Sequence, residues 1–125
     1  MMKTLWDRAC RLQAAAAEEG FDWPDSDGVF AKLREEVAEL AAEAVADDAG
    51  ADGRRVHELG DILFVLAHLS RRFGIDAEAA LRLATERFET CFAAVMADAD
   101  SLPPRGDPAR LDAMEARWQD AKRRE

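Results

Sequence analysis

The chain has 125 residues, 49% of them apolar, enough for one domain with a real hydrophobic core and too many for a disordered segment. Its 26 acidic against 17 basic residues leave a formal net charge of −9. That balance disfavours nucleic acid or an anionic membrane as the main partner and suits divalent cations. Ala, Leu, Glu and Arg dominate and Tyr is absent, which favours helix over sheet. No apolar run approaches a membrane span, so the reading is a single cytoplasmic, all-α domain over residues 1–125.

Apolar periodicity and breakers predict helices near 3–19, 26–48, 52–73 and 76–98. The breaker-rich "SLPPRGDP" then precedes a last helix near 108–123. Gly20, Gly50 and Gly74 each follow a helical pattern and suit a terminating position with positive φ. Ser26, Asp52 and Asp76 stand near the next starts, as N-caps do. The second helix carries Phe30, Leu33, Val37, Leu40, Ala41 and Ala44 on one stripe, and the fourth carries Leu81, Ala84, Phe88, Phe92 and Val95. "DILFVLAHL" in the third is apolar nearly all round, which marks a helix enclosed by others. A bundle of four main helices plus a short C-terminal one follows, sharing its core with a second subunit. Cys10 and Cys91 are far apart and belong to no C-x-x-C pair, so they read as reduced, packed thiols rather than zinc ligands.

Chemistry concentrates on the second and third helices. In "LREEVAEL", Glu36 and Glu39 are three residues apart, on adjacent turns of one face, and Glu36 borders the apolar stripe. Glu43 follows on that border, while Glu35 points further out. "HELGD" repeats the device with Glu58 and Asp61, and Gly60 between them hints at a close approach by a helix or ligand. One E-x-x-E pair on an acidic helix is ordinarily a solvated face. Two such pairs, facing each other across an antiparallel hairpin, would raise one another's pKa by repulsion and desolvation. A hard cation removes that penalty, and an all-oxygen site favours Mg²⁺ or Mn²⁺ over zinc.

"EEVAEL" followed by "ELGDILF" resembles the E-E-x-x-E and E-x-x-D motifs of the MazG nucleotide pyrophosphohydrolase family. "GFDW" resembles the segment before the first motif, "GIDAEAALRLATERFETCF" the one after the second and "MEARWQDAKRRE" the C-terminal end, so the likeness covers nearly the whole chain and is closest to the C-terminal catalytic domain of MazG. The resemblance implies an all-α fold and Mg²⁺-dependent hydrolysis of nucleoside triphosphates to the monophosphate and pyrophosphate. It implies Glu36, Glu39, Glu58 and Asp61 as metal ligands, with Glu35 orienting or deprotonating the attacking water. It also implies a homodimer or higher assembly.

Arg87 stands where the family commonly has Lys, and Arg54 and Lys122 are further candidates for the phosphates, each with solvation as its ordinary alternative. Trp118, one turn before Lys122, is placed to stack a base or to anchor the last helix. Phe21 and Trp23 are candidates for the base pocket, with a hydrophobic staple as the alternative. Thr85, Cys91 and His68 depart from the family pattern; His68 reads as a core histidine. A non-catalytic helical module that binds metal or nucleotide is the competing class. A narrower pyrophosphohydrolase for dUTP, dCTP or phosphoribosyl-ATP is the alternative within the superfamily.

Overall fold

In the computed structural model, residues 2–125 are described, with side chains from Lys3 onward, and they form five α-helices and no strand. These are α1 (Met2–Glu18), α2 (Ser26–Ala44), α3 (Ala51–Arg72), α4 (Ala77–Val95) and α5 (Pro108–Arg123), with a 3₁₀ turn at Ala99–Ser101. The all-α expectation holds, and α5 has the bounds the sequence suggested.

Several helix ends differ from expectation. Gly20 and Gly74 do take positive φ, and each closes its helix by a backbone pair: Phe21 N–H to Ala16 O at 3.0 Å, and Ile75 N–H to Ser70 O at 2.8 Å. Gly50 instead has φ −90° and serves as the N-cap of α3, because α2 already ends at Ala44. Asp25, not Ser26, caps α2, accepting from the Asp27 N–H at 2.9 Å. Asp52 lies inside the first turn of α3, where its charge still complements the helix dipole. A Cβ added at Gly60 would meet nothing within 4 Å, so no neighbouring side chain accounts for that glycine.

The chain divides into two compact units, Met1–Ala77 and Glu78–Glu125. In the first, α2 and α3 form an antiparallel hairpin, and α1 runs along α3. Val29, Val65 and Leu69 make its buried cluster, with Leu33 packed against them. Three α1 side chains, spaced about one turn apart, pin it to α3 in descending order. Trp6 Nε1 donates to Ser70 Oγ at 3.0 Å, Cys10 Sγ to Ala67 O at 3.6 Å, and Gln13 Nε2 to Phe64 O at 2.8 Å. The expected enclosure of α3 is only partial. Val65, Ala67, His68 and Leu69 are buried, but Leu59 and Phe64 remain 50% exposed.

In the second unit Trp118 of α5 lies against Phe88 of α4, with ring centres 5.3 Å apart, and Phe88 stacks on Phe92. Arg117 closes the α4–α5 connection by donating to Val95 O and Asp98 O, both at 3.0 Å, and to Ser101 Oγ at 2.6 Å. Both cysteines are free thiols.

Candidate active site

The hairpin register decides which carboxylates meet. Val29 opposite Leu69 sets Glu36 opposite Asp61 and Glu58, with Glu43 reaching Arg54 nearer the turn. Carboxylate oxygens of Glu36, Glu58 and Asp61 lie within 4.8 Å of one another, and so do those of Glu35, Glu36 and Glu39. Glu36 belongs to both groups. It is also 3% exposed, although it occupies a helix border rich in charge.

Such crowding must appear in the titration of the group. Hydrogen bonding to Glu58, desolvation and repulsion from Glu36 and Glu58 raise Glu39 to about 7. Glu36 moves the other way, because Lys32 Nζ sits 2.9 Å from its Oε1 and holds its carboxyl below the usual range. Lys32 also lies 3.5 Å from Glu35. Sequence reasoning overlooked Lys32, although a lysine one turn before Glu36 in "KLREE" was the available signal. His57 Nε2 approaches Asp61 at 3.2 Å from one turn earlier on α3.

One lysine does not complete the site. Oε2 of Glu36 and Oε2 of Glu58 are buried without a hydrogen-bond partner. Anionic oxygens in that position are costly unless a cation meets them. An all-oxygen donor set with two unpartnered buried oxygens fits a hard divalent cation, which Glu36, Glu58 and Asp61, or Glu35, Glu36 and Glu39, could hold.

A cavity of about 410 Å³ adjoins this edge within the first unit, and Lys32, Glu36 and Asp61 form part of its wall. Phe21, Trp23 and Phe64 supply much of its apolar lining. Trp23 is held in place from two sides. Its ring meets His68 edge-on at 5.4 Å, and it lies so close over Gly28 that a Cβ there would collide with the indole. The 20–25 loop is tied to α3 by Arg72, which donates to Asp22 Oδ1 and Trp23 O, both at 3.0 Å. Arg72 Nε also donates to His68 Nε2 at 3.1 Å, so that nitrogen carries its lone pair, and its 3.5 Å approach to Asp22 is not an ion pair. Burial, together with the charge of Arg71, pushes His68 below its ordinary value despite Asp22 nearby. His68 is therefore a neutral, packed residue 6% exposed, as read from the sequence.

The remaining candidates occupy other places. Arg54 is engaged at the α2–α3 connection, where it donates to Glu43 at 2.8 Å and bidentately to Asp48 at 2.6 and 3.0 Å. Arg87, Trp118 and Lys122 belong to the second unit. There burial and Glu125 push the Cys91 thiol up, opposed by the charges of Lys122 and Arg87.

An all-α chain with paired carboxylates on an antiparallel hairpin is a limited class, and comparison with known proteins identifies it. The chain belongs to the phosphoribosyl-ATP pyrophosphohydrolase family, whose model matches residues 1–88. It is similar to the nucleoside triphosphate pyrophosphohydrolase of Escherichia coli (strain K12), with 38% identity over 123 residues, covering 94% of this chain and 44% of that protein. It is also similar to the nucleoside triphosphate pyrophosphohydrolase/pyrophosphatase MazG of Thermotoga maritima, with 42% identity over 81 residues, covering 64% of this chain and 29% of that protein. The chain thus spans less than half the length of these curated relatives. The resemblance to MazG is borne out. Among the described residues no helix is long and apolar enough to cross a membrane.

Proposed function

We propose that this chain hydrolyses canonical or damaged (deoxy)nucleoside triphosphates at the α–β anhydride, releasing the monophosphate and pyrophosphate. Mg²⁺ is its cofactor, with Mn²⁺ able to substitute, and the role is house-cleaning of the cytoplasmic nucleotide pool. The observation that carries the reading is the meeting of the Glu36–Glu39 and Glu58–Asp61 pairs with two buried carboxylate oxygens left unpartnered. Family membership and the names of the relatives support the reaction class.

Glu36, Glu39, Glu58 and Asp61 would bind the ion, whose chemistry there is to neutralise phosphate charge and acidify water. Glu35, with an oxygen within 4.8 Å of those of Glu36 and Glu39, takes the proton of the water that attacks phosphorus as the bridging oxygen leaves. Lys32 holds positive charge at the same edge, where a phosphate oxygen arriving beside Glu36 meets it. Phe21 and Trp23 offer exposed aromatic surface to a base. Arg87 and Lys122 as phosphate contacts, and Trp118 as a base contact, lie in segments that resemble the family, while Arg54 is a phosphate candidate only by its place one turn before Glu58. Assembly into a homodimer or higher oligomer belongs to the same reading. It accords with the half-exposed Leu59 and Phe64 on α3 and with Leu81, which is 62% exposed, on α4.

The matched family model favours one narrower reading, in which phosphoribosyl-ATP is the substrate. A panel of NTPs, dNTPs and phosphoribosyl-ATP, each with Mg²⁺, Mn²⁺ or EDTA, separates the two. Monophosphate and pyrophosphate from several NTPs, abolished by EDTA, is the expected result. Turnover of phosphoribosyl-ATP alone selects the narrower enzyme, and no turnover of any compound refutes both.

A further inference from the structure

The 20–25 loop walls the cavity beside the carboxylates, and the Arg72 guanidinium ties it to α3. Arg72 uses one edge for this. Its Nη2 donates to Asp22 Oδ1 and Trp23 O, both at 3.0 Å, while its Nε donates to His68 Nε2 at 3.1 Å. The fork is planar and rigid, so the contact to His68 fixes where the loop is held. The ends of the loop do not depend on Arg72: the Phe21 N–H closes α1 on Ala16 O, and Asp25 caps α2. Phe21 is 84% exposed and Trp23 40%, so burial supplies only part of the hold.

His68 meets donors on both sides. With Nε2 accepting from Arg72, the ring proton is on Nδ1, which faces Arg71 Nη2 at 3.4 Å. A second proton, on Nε2, would set two donors against each other. Asp22 Oδ1 stands 3.5 Å from Nε2, but it already accepts the Trp23 N–H at 2.8 Å and Arg72 Nη2. Asp22 stays ionised as the pH falls, because desolvation is outweighed by that N–H and by the nearby cations, which hold it below its usual range. Across the cavity stand Lys32 and Glu36 of α2 and Asp61 of α3, and the α1 residues lining it, Leu12, Gln13 and Ala16, are uncharged.

We propose that His68 is a proton-operated latch on the 20–25 loop. Neutral, it fixes Arg72 and the loop stays against the cavity. Protonated, it pushes Arg72 off Nε2, the hold on Asp22 and Trp23 O goes with it, and the loop opens. Burial and the charge of Arg71 place the change below the ordinary histidine range, so the latch is closed at neutral pH. The stability this group lends the closed state is present above that range and is lost as pH falls through the lower, folded value. The latch stands whether or not the chain hydrolyses triphosphates.

Trp23 reports on the loop, and in the full chain carrying Trp6→Phe and Trp118→Phe it is the sole tryptophan. Acrylamide quenching of its emission is followed from pH 7.5 to pH 4.5 in EDTA. The rings of His57 and His68 are followed by NMR, and helical content by circular dichroism. Quenching rises roughly twofold, as a 40% exposed indole becomes almost fully exposed, and its midpoint is that of the His68 ring. His68→Gln, whose amide oxygen can take the place of Nε2 and does not titrate, keeps the pH 7.5 level throughout. Arg72→Met, which removes the fork, shows the high level at both ends of the range. Quenching that stays constant down to pH 4.5, that follows His57, that rises equally in His68→Gln or that rises only as helix is lost overturns the latch. So does an Arg72→Met chain quenched no more at pH 7.5 than the chain that keeps Arg72.

Discussion

The turn and the middle of the α2–α3 hairpin are both crowded with charge, and they handle it in opposite ways. At the turn, Glu43, Asp48 and Asp52 are matched by Arg54 and Arg55. Hydrogen bonds from Arg54 hold Asp48 down to about 2. Arg55 gives its remaining donors to backbone, reaching Glu43 O at 2.9 Å, Ala44 O at 3.4 Å and Ala46 O, and so satisfies the carbonyls where α2 ends. Two turns further along, Glu35, Glu36, Glu39, Glu58 and Asp61 share Lys32 and, at Asp61, His57. There one carboxyl is raised to about 7 and two oxygens are buried unpaired. The turn is organised for stability; the mid-hairpin edge retains unfavourable charge that a proton on Glu39 or an added cation would relieve. Local conflict of that kind, in a hairpin able to resolve it elsewhere, marks a functional site.

Breaking the unbalanced cluster has the largest expected effect. Glu36→Ala and Asp61→Ala each reduce pyrophosphate release by more than the roughly 100-fold that outer-shell changes typically cost. Helical content by circular dichroism stays at the wild-type level. Near-wild-type turnover in both variants would remove the proposed site. Breaking the balanced cluster acts on stability instead. Arg55→Met leaves the α2 carbonyls to water and lowers unfolding free energy by about 1–2 kcal/mol, read from the urea midpoint, with kcat/KM per folded molecule unchanged. A loss of turnover without a loss of stability would show that the two regions are not separate devices.

How much of this was legible in the sequence follows from the range of each interaction. The five helices and the two carboxylate pairs were readable because helical period and i, i+3 spacing are local. That both pairs meet at Glu36 depends on the register set by Val29, Val65 and Leu69, which no single stretch encodes. Lys32 was hidden for a different reason: a lysine four residues before a glutamate is the commonest solvated pair on any helix, and only the burial of Glu36 gives it meaning. Gly50 and Gly60 drew notice that the structure redirects, Gly50 to an N-cap with negative φ and Gly60 to open space. Arg54 was singled out for the phosphates, whereas it pairs with Asp48 and Glu43, because the turn brings those carboxylates nearer than its place in α3 suggested.

The smallest effect is also the most diagnostic of which carboxylate bears the strain. Glu39 is raised from 4.5 to about 7 in the folded chain, so between those values the folded state holds a proton that the unfolded state has released. Stability from this group is present below about 4.5 and is lost as pH rises through about 7. Glu36 and Asp48 are shifted down, so their contributions are lost on acidification and are already complete in this window. His68, pushed below its ordinary value, acts with the opposite sign in this window, so the readout in EDTA is a difference: between pH 5.5 and pH 8 the wild-type urea midpoint falls relative to that of Glu39→Gln, which cannot ionise. Saturating Mg²⁺ reverses the sign, because a bound cation favours the ionised carboxylate and its affinity grows as protons leave. Metal-free profiles of the wild type and Glu39→Gln that run parallel would move the strain to another member of the cluster and take Glu39 out of the proposed ligand set.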